Sequence, residues 1–262
     1  MNILICGCGN MGGAMLTGWL AGGLNPAQFT VVDPFLPQAP AGVRLLREVP
    51  DERFDIVLLG IKPQALAEVA PSLFAATEGA ILLSILAGAE LASLAARFPK
   101  VAALVRVMPN LAAAIGKSPL GLVSQNLDAA GKTKVENLLA PLGTAEWLAS
   151  EDQLDAVTAL AGSGPAFVYR FIAALSEGGA ALGLDPAQAD RLARAMVEGA
   201  AMLAAASPDD PAELARRVTS PGGTTAAGLA VMDAEGAFAR LVAEVLRAAR
   251  DRGAELAAAA RA

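Results

Sequence analysis

Six residues near the start of the chain, Gly7-Cys8-Gly9-Asn10-Met11-Gly12, follow directly on the apolar run Asn2-Ile3-Leu4-Ile5-Cys6. This is G-x-G-x-x-G between a strand and the start of a helix, the context in which the pattern binds a dinucleotide. Gly7 permits the tight turn, Gly9 lets backbone approach a pyrophosphate, and Gly12 lets helix and strand pack closely. The helix start adds free N–H groups and the positive end of its dipole. Glycine-rich turns also join strand to helix with no ligand, so the motif alone does not decide. Asp33 closes a second apolar run, Phe29-Thr30-Val31-Val32. It stands about 20 residues after the glycines, where an acidic side chain hydrogen-bonds the ribose of NAD and repels a 2′-phosphate. Asp33 also precedes Pro34 and reads as a turn aspartate. No arginine follows it before Arg44, so no clamp for an extra phosphate is evident locally.

Further candidates lie at later strand ends. Ile61-Lys62-Pro63 follows the continuous apolar run 55–61, the pattern of a parallel strand buried on both faces. A doubly wound sheet binds its ligands at such carboxyl ends, so Lys62 stands either beside a cofactor or in solvent. Ala87-Gly88 follows another such run, and Gly88 suits close backbone approach. Much later, Ser220-Pro221-Gly222-Gly223-Thr224-Thr225 leads into a helical pattern. Consecutive glycines there leave N–H groups uncovered, a cradle for a carboxylate or phosphate. Thr224 and Thr225 add hydroxyls that both donate and accept. An ordinary N-cap with a flexible entry explains the same pattern.

What is missing narrows the chemistry. The chain has no histidine, so the usual general acid/base and the commonest metal ligand are gone. No tight Asp/Glu cluster has metal-ligand spacing, and no metal site is expected. Cys6 and Cys8 flank Gly7 and read as a small buried residue and a loop residue. The chemistry must come mostly from a bound cofactor, with the protein orienting the reactants.

The elements that position these residues follow from composition and periodicity. A chain of 262 residues allows one large or two modest domains. A net charge of −6 without a long basic run points away from nucleic acid. The first apolar run is too short for a signal peptide and has no basic region before it. The Ala-rich stretches are broken by Gly, Pro or charge, so no membrane span is expected. A cytoplasmic protein fits. Strands are expected over 29–33, 55–61, 80–86 and 101–107, with short closing strands at 120–124 and 146–149 and a helix over 127–139. Pro34, Pro37 and Pro40 make a stiff loop. After Ser150 the pattern is helical throughout: 151–160, 165–182, 186–206, 211–219, 224–232 and 237–259. Their apolar faces call for other helices or a second subunit. The expected fold is α/β: an N-terminal Rossmann-type, doubly wound, mostly parallel sheet over 1–150, then an all-helical domain over 151–262 that dimerises.

These residues resemble the pyrroline-5-carboxylate reductase family. The resemblance rests on Gly7–Gly12, Ile61-Lys62-Pro63-Gln64, Ser84–Gly88, Arg106-Val107-Met108-Pro109-Asn110, the stretch Asp155 to Phe167, and above all Leu214 to Asp233 with Ser220–Thr225 at its centre. It covers nearly the whole chain, with the motifs in order. It implies reduction of the cyclic imine 1-pyrroline-5-carboxylate to L-proline by NAD(P)H, in an interlocked homodimer that in many members assembles further, commonly to a decamer. It implies Gly7, Cys8, Gly9, Asn10, Met11 and Gly12 at the pyrophosphate, Ile61, Lys62 and Pro63 along the cofactor, and Ala87 and Gly88 near the nicotinamide. It implies Ser220, Gly222, Gly223 and Thr224 around the substrate, Thr225 at the ring nitrogen as the catalytic contact, and Glu151 near that nitrogen.

Two departures stand out. Many members carry a small hydroxyl or amide residue and then a basic one after the second strand; Asp33-Pro34 here favours NADH, with NADPH possible. The family asparagine that contacts adenosine has no clear counterpart between Val43 and Asp55. A β-hydroxyacid dehydrogenase shares the layout but uses a lysine from its helical half, and every lysine here precedes residue 151. A reductase of another cyclic imino acid, or a non-catalytic NAD(P)-binding protein, stays open.

Overall fold

The computed structural model describes residues 1–261. It divides into two compact units. One is Met1–Ser163 together with the end of the last helix from Ala249; the other is Gly164–Ala248.

The first unit is built on an eight-stranded sheet. Its strands are β1 (Ile3–Cys6), β2 (Phe29–Val32), β3 (Arg44–Leu46), β4 (Ile56–Leu59), β5 (Ile81–Ser84), β6 (Ala103–Met108), β7 (Ser118–Gln125) and β8 (Gly143–Trp147), in the order β3-β2-β1-β4-β5-β6-β7-β8. The first six are parallel; β7 pairs antiparallel with β6, and β8 runs parallel to β7. The order reverses at β1, which lies between β2 and β4. The crevice beyond the carboxyl ends of β1 and β4 is therefore the switch point at which such sheets take ligands.

Residues alternate between the two faces because side chains alternate along a strand. Ile3, Ile5, Ile56 and Leu58 pack with Met15, Leu16 and Trp19. Leu4, Cys6, Val57 and Leu59 pack with Leu66, Leu73 and Phe98 on the other side. Each such fully buried aliphatic contributes about 1.5–3 kcal/mol of transfer free energy. Helix α1 (Asn10–Ala21) is held on the sheet by Trp19, whose Nε1 donates to the Leu138 carbonyl at 2.7 Å and whose ring stacks on Phe29. Helix α2 (Leu91–Arg97) follows β5 and α3 (Ala129–Leu139) follows β7.

The structure corrects several boundaries. Strand β3 is not expected from sequence: it has three residues and is only partly buried, too little for a periodic signal. The closing strands are displaced from the expected spans, β7 being longer and β8 starting earlier. The helix expected over 151–160 is instead α4 (Gln153–Val157) continuing into a π-helical turn, Thr158–Gly162, in which Ser163 N–H donates to the Thr158 carbonyl at 2.8 Å.

The second unit is helical. It carries α5 (Gly164–Ala181), α6 (Pro186–Ala206), α7 (Pro211–Arg217), α8 (Thr224–Met232) and the first half of α9 (Ala237–Arg261). Asp185 caps α6 through the Ala187 and Gln188 N–H groups, and Asp210 caps α7 through Glu213 N–H. No residue of α5 is buried, and α6 buries only Ala189 and Ala193. Tyr169, Leu192, Met202 and Leu203 are exposed. One continuous helical stretch, Gln153–Ala181, is long and apolar enough to cross a membrane by length and composition. The expectation that glycine, proline and charge interrupt every such stretch fails there, because the π turn carries the helix through Gly162 and Gly164. A partner subunit is another apolar environment for such a face.

Candidate functional site

The glycine turn is shaped by close approach of backbone to backbone. Gly7 has φ +87°, and a Cβ there would lie 2.8 Å from the Gly60 carbonyl carbon. A Cβ on Gly12, or on Gly60, would lie 2.6 Å from the Gly7 carbonyl oxygen. Gly60 thus belongs to the same packed turn, a role hidden in sequence by the apolar run around it. Gly9 differs: it is exposed, and nothing lies within 4 Å of where its Cβ would be. No side chain caps α1, so its first-turn N–H groups, at Asn10, Met11 and Gly12, are open to an anion. A dinucleotide pyrophosphate fits this arrangement: tight where the chain packs on itself and bare where a ligand approaches.

A cleft of ≈670 Å³ runs from this turn along the ends of β2 and β4, lined among others by Gly7, Gly9, Asp33, Arg47, Ile61 and Lys62. Lys62 therefore stands beside the candidate cofactor path, with Pro63 opening the helical turn behind it. Asp33 lies just past β2. Its Oδ2 accepts from Cys8 N–H at 2.8 Å, and its Oδ1 accepts from Phe35 N–H at 2.8 Å and Leu36 N–H at 3.0 Å. Partial burial pushes the Asp33 carboxyl up. The three N–H donors, helped by the Arg47 guanidinium, outweigh that and hold it below the ordinary aspartate value. Asp33 is both turn aspartate and cleft residue, so the two readings open in sequence are not exclusive.

Arg47 is the residue that sequence reasoning missed. The pairing of Val32 with Leu46 sets it beside Asp33, and its Nη1 donates to the Asp33 carbonyl at 2.8 Å and the Leu36 carbonyl at 2.7 Å. The absence of an arginine between Asp33 and Arg44 does not carry over into space. Without β3 in view, no sequence signal pointed to Arg47.

Cys6, in β1, and Cys8, in the loop between β1 and α1, are both buried. Burial first, and the Asp33 carboxylate second, push each thiol up to about 11. They stay protonated at neutral pH and are poor nucleophiles. Among the described residues, no group of three or more His, Cys, Asp or Glu could hold a metal ion.

Beyond β5, Gly88 takes φ +77° and Ala87 is exposed. The loop they form ends at Leu91, whose N–H donates to Glu151 Oε1 at 2.7 Å. The same oxygen accepts from Arg106 Nη1 at 2.6 Å. Arg106 is buried and Glu151 is partly open, with 30% of its side chain exposed. Glu151 thus ties the Ala87-Gly88 loop to the end of β6.

In the helical unit, Gly222 has φ +68° with open space at its Cβ position, and Gly223 N–H donates to the Ser220 carbonyl at 3.0 Å. Gly223 is the N-cap of α8, and no side chain caps that helix. Thr224 and Thr225 are exposed on its first turn. The local geometry is that of an open cradle rather than a side-chain cap.

Comparison with known proteins accounts for both halves. Residues 151–256 match the family described as pyrroline-5-carboxylate reductase dimerisation, which supports formation of an oligomer, and residues 2–88 match NADP oxidoreductase coenzyme F420-dependent. The chain is 39% identical to a pyrroline-5-carboxylate reductase of Pseudomonas aeruginosa, over 97% of this chain and 96% of that protein. It is 34% identical to pyrroline-5-carboxylate reductase 2 of Bacillus subtilis, over 95% and 93%. Among solved structures, a pyrroline-5-carboxylate reductase from Coxiella burnetii superposes with a TM-score of 0.89 at 29% identity, covering 97% of this chain and 98% of that one. The Plasmodium falciparum pyrroline carboxylate reductase, solved with NADP bound, shares the fold with a TM-score of 0.83 at 23% identity, over 97% of each chain. The chain belongs to the pyrroline-5-carboxylate reductase family.

Proposed function

We propose that the chain is an NAD(P)H-dependent oxidoreductase that reduces the C=N bond of 1-pyrroline-5-carboxylate to give L-proline, the last step of proline biosynthesis. The observation that carries this reading is the presence, on a chain similar to such reductases over 97% of its length, of two uncapped helix starts behind glycine turns. One follows Gly7-Cys8-Gly9 and the other Gly222-Gly223.

Residues 1–150 hold the dinucleotide and residues 151–262 the substrate and the dimer contacts. The N–H groups from Cys8 to Gly12 take the pyrophosphate, Asp33 the ribose, and Ile61, Lys62 and Pro63 the path toward the nicotinamide. Ala87 and Gly88 sit at the nicotinamide. The bound dinucleotide supplies a hydride. The Gly222–Thr225 turn, with Ser220, takes the substrate carboxylate. The Thr225 hydroxyl orients the ring nitrogen or relays a proton to it from water, since a hydroxyl is too weak an acid to serve alone. An imine that enters protonated needs no stronger acid, which suits a chain without histidine. Glu151, which accepts from the Leu91 N–H, lies near the substrate nitrogen.

Asp33 makes NADH the favoured donor, with NADPH as a second. The uncovered apolar faces of α5 and α6 support a homodimer through the helical domain, with a decamer as a further assembly, in the cytoplasm. Oxidation of NADH and NADPH, followed in parallel with 1-pyrroline-5-carboxylate as the sole substrate, tests the reading. Rapid oxidation with formation of proline is expected. Dinucleotide binding without turnover would reject the substrate and redirect the search to other cyclic imines.

A further inference from the structure

Resting on the dinucleotide reading just given, we propose that Arg47 is the residue that lets this chain accept NADPH, by binding the 2′-phosphate at the ribose end of the cleft. Strand β3 runs parallel to β2, with Val32 opposite Leu46. Asp33 and Arg47 follow these two residues, and Asp33 N–H donates to the Leu46 carbonyl at 3.2 Å. An edge strand of three residues thus brings a cation to the position that reads the adenosine ribose. An arginine near that acidic position is what accommodates a 2′-phosphate in dinucleotide folds.

The guanidinium is already held. Both Nη1 protons go to carbonyl oxygens of the 33–36 turn, at 2.8 and 2.7 Å. Among the described residues, no hydrogen bond engages its Nε or Nη2, and no salt bridge uses it. Three N–H donors in a planar fork remain, the geometry that suits phosphate. Arg44, at the other end of the same strand, is different. Its guanidinium is paired with Glu52 by two bonds of 2.8 and 2.9 Å, so it has no comparable surplus. Asp33 would be the obstacle to a 2′-phosphate, but both of its oxygens already accept backbone N–H groups. Its charge is partly met from within the protein. Arg47 and Asp33 line the same cleft as Gly7 and Gly9.

The test is the affinity of the full-length protein for NADPH and NADH, by fluorescence or calorimetric titration, in the unaltered chain, Arg47→Ala and Arg47→Gln. The glutamine amide can keep a bond to the turn carbonyls without bringing charge, so it answers if the alanine variant folds poorly. Both variants are expected to weaken NADPH about tenfold or more, the scale of a charge-assisted hydrogen bond, and to weaken NADH several-fold less than that. Added salt should weaken NADPH more than NADH in the unaltered chain and equally in the variants. An equal loss for both dinucleotides would reduce Arg47 to a brace for the turn and overturn the proposal. Unchanged NADPH affinity, or an unaltered chain that binds NADH and not NADPH, would overturn it too. If neither dinucleotide binds the unaltered chain, the underlying cofactor reading fails instead.

Discussion

Glu151 Oε1 accepts two hydrogen bonds at once, 2.6 Å from Arg106 Nη1 and 2.7 Å from the Leu91 N–H. Arg106 comes from β6, and Leu91 is the first residue of α2. The carboxylate therefore joins the end of one strand to the loop that follows another. Removing it strands a guanidinium whose side chain is only 9% exposed. A fully buried pair broken this way costs about 3–5 kcal/mol; with Glu151 partly open to solvent, about 2 kcal/mol is expected for Glu151→Ala. Glu151→Gln keeps an acceptor for Leu91 and should lose about half as much. Urea unfolding at fixed protein concentration measures both. The dinucleotide KM should rise in both variants, because the Ala87-Gly88 loop loses its tether; an unchanged KM would separate that loop from the cofactor.

The glycines of the turn divide into two kinds. Gly12→Ala drives a Cβ to 2.6 Å from a carbonyl oxygen, and backbone there cannot give way cheaply. A loss of about 1–3 kcal/mol in stability is expected. Gly9→Ala meets nothing within 4 Å and should leave the melting temperature nearly unchanged while weakening NADH at least several-fold. Equal behaviour of the two variants in melting and titration would show that Gly9 does not face the ligand.

Thr225→Ala should lower kcat/KM for pyrroline-5-carboxylate about 10- to 100-fold, the effect of losing one hydrogen bond to a polar or charged ligand group. NADH affinity should stay within about twofold, and Thr225→Ser should recover much of the rate. A collapse of NADH binding in the alanine variant would move Thr225 out of the substrate site.

The pH dependence has two limbs. Burial and the Asp33 carboxylate raise the thiols of Cys6 and Cys8 to about 11, against about 8.5 in an unfolded chain. The folded state holds these protons more tightly. This contribution is complete below the unfolded value and is lost as pH rises toward about 11. Asp33 is shifted the opposite way, so its contribution is present above about 3.9 and is lost as pH falls below that. Cys6→Ala/Cys8→Ala should flatten the alkaline limb of the urea midpoint against pH, and Asp33→Asn the acid limb. A disulfide reagent at pH 8 should label neither thiol until urea is added; fast labelling of the native protein would contradict their burial.

The parts legible in sequence were those with strong periodicity or an unambiguous turn. The buried runs at 3–6, 56–59 and 81–84 announce themselves by apolar residues at every position, and Pro186 and Pro211 mark helix starts that the structure keeps. Strand β3 escaped because three half-exposed residues carry no period, and Arg47 escaped with it. The π turn at Thr158–Gly162 escaped because one extra residue in a helical turn leaves no compositional trace. The resemblance sets Glu151 near the substrate nitrogen, while its local pattern is only that of an acid at a helix start. Its bond to Leu91, 60 residues away in the chain, exists only once the sheet has formed.

The bare faces of α5 and α6 have a thermodynamic corollary. A helix of 18 residues with none buried, beside one of 21 that buries two alanines, gains little from its own chain toward the entropy of being ordered. The missing stabilisation has to be supplied by association, and association follows mass action. The helical half should therefore melt at a temperature that climbs with protein concentration, while the sheet, whose core is complete within one chain, does not depend on it. On dilution the protein would lose the Gly222–Thr225 cradle before it loses the glycine turn, and dinucleotide binding would outlast turnover.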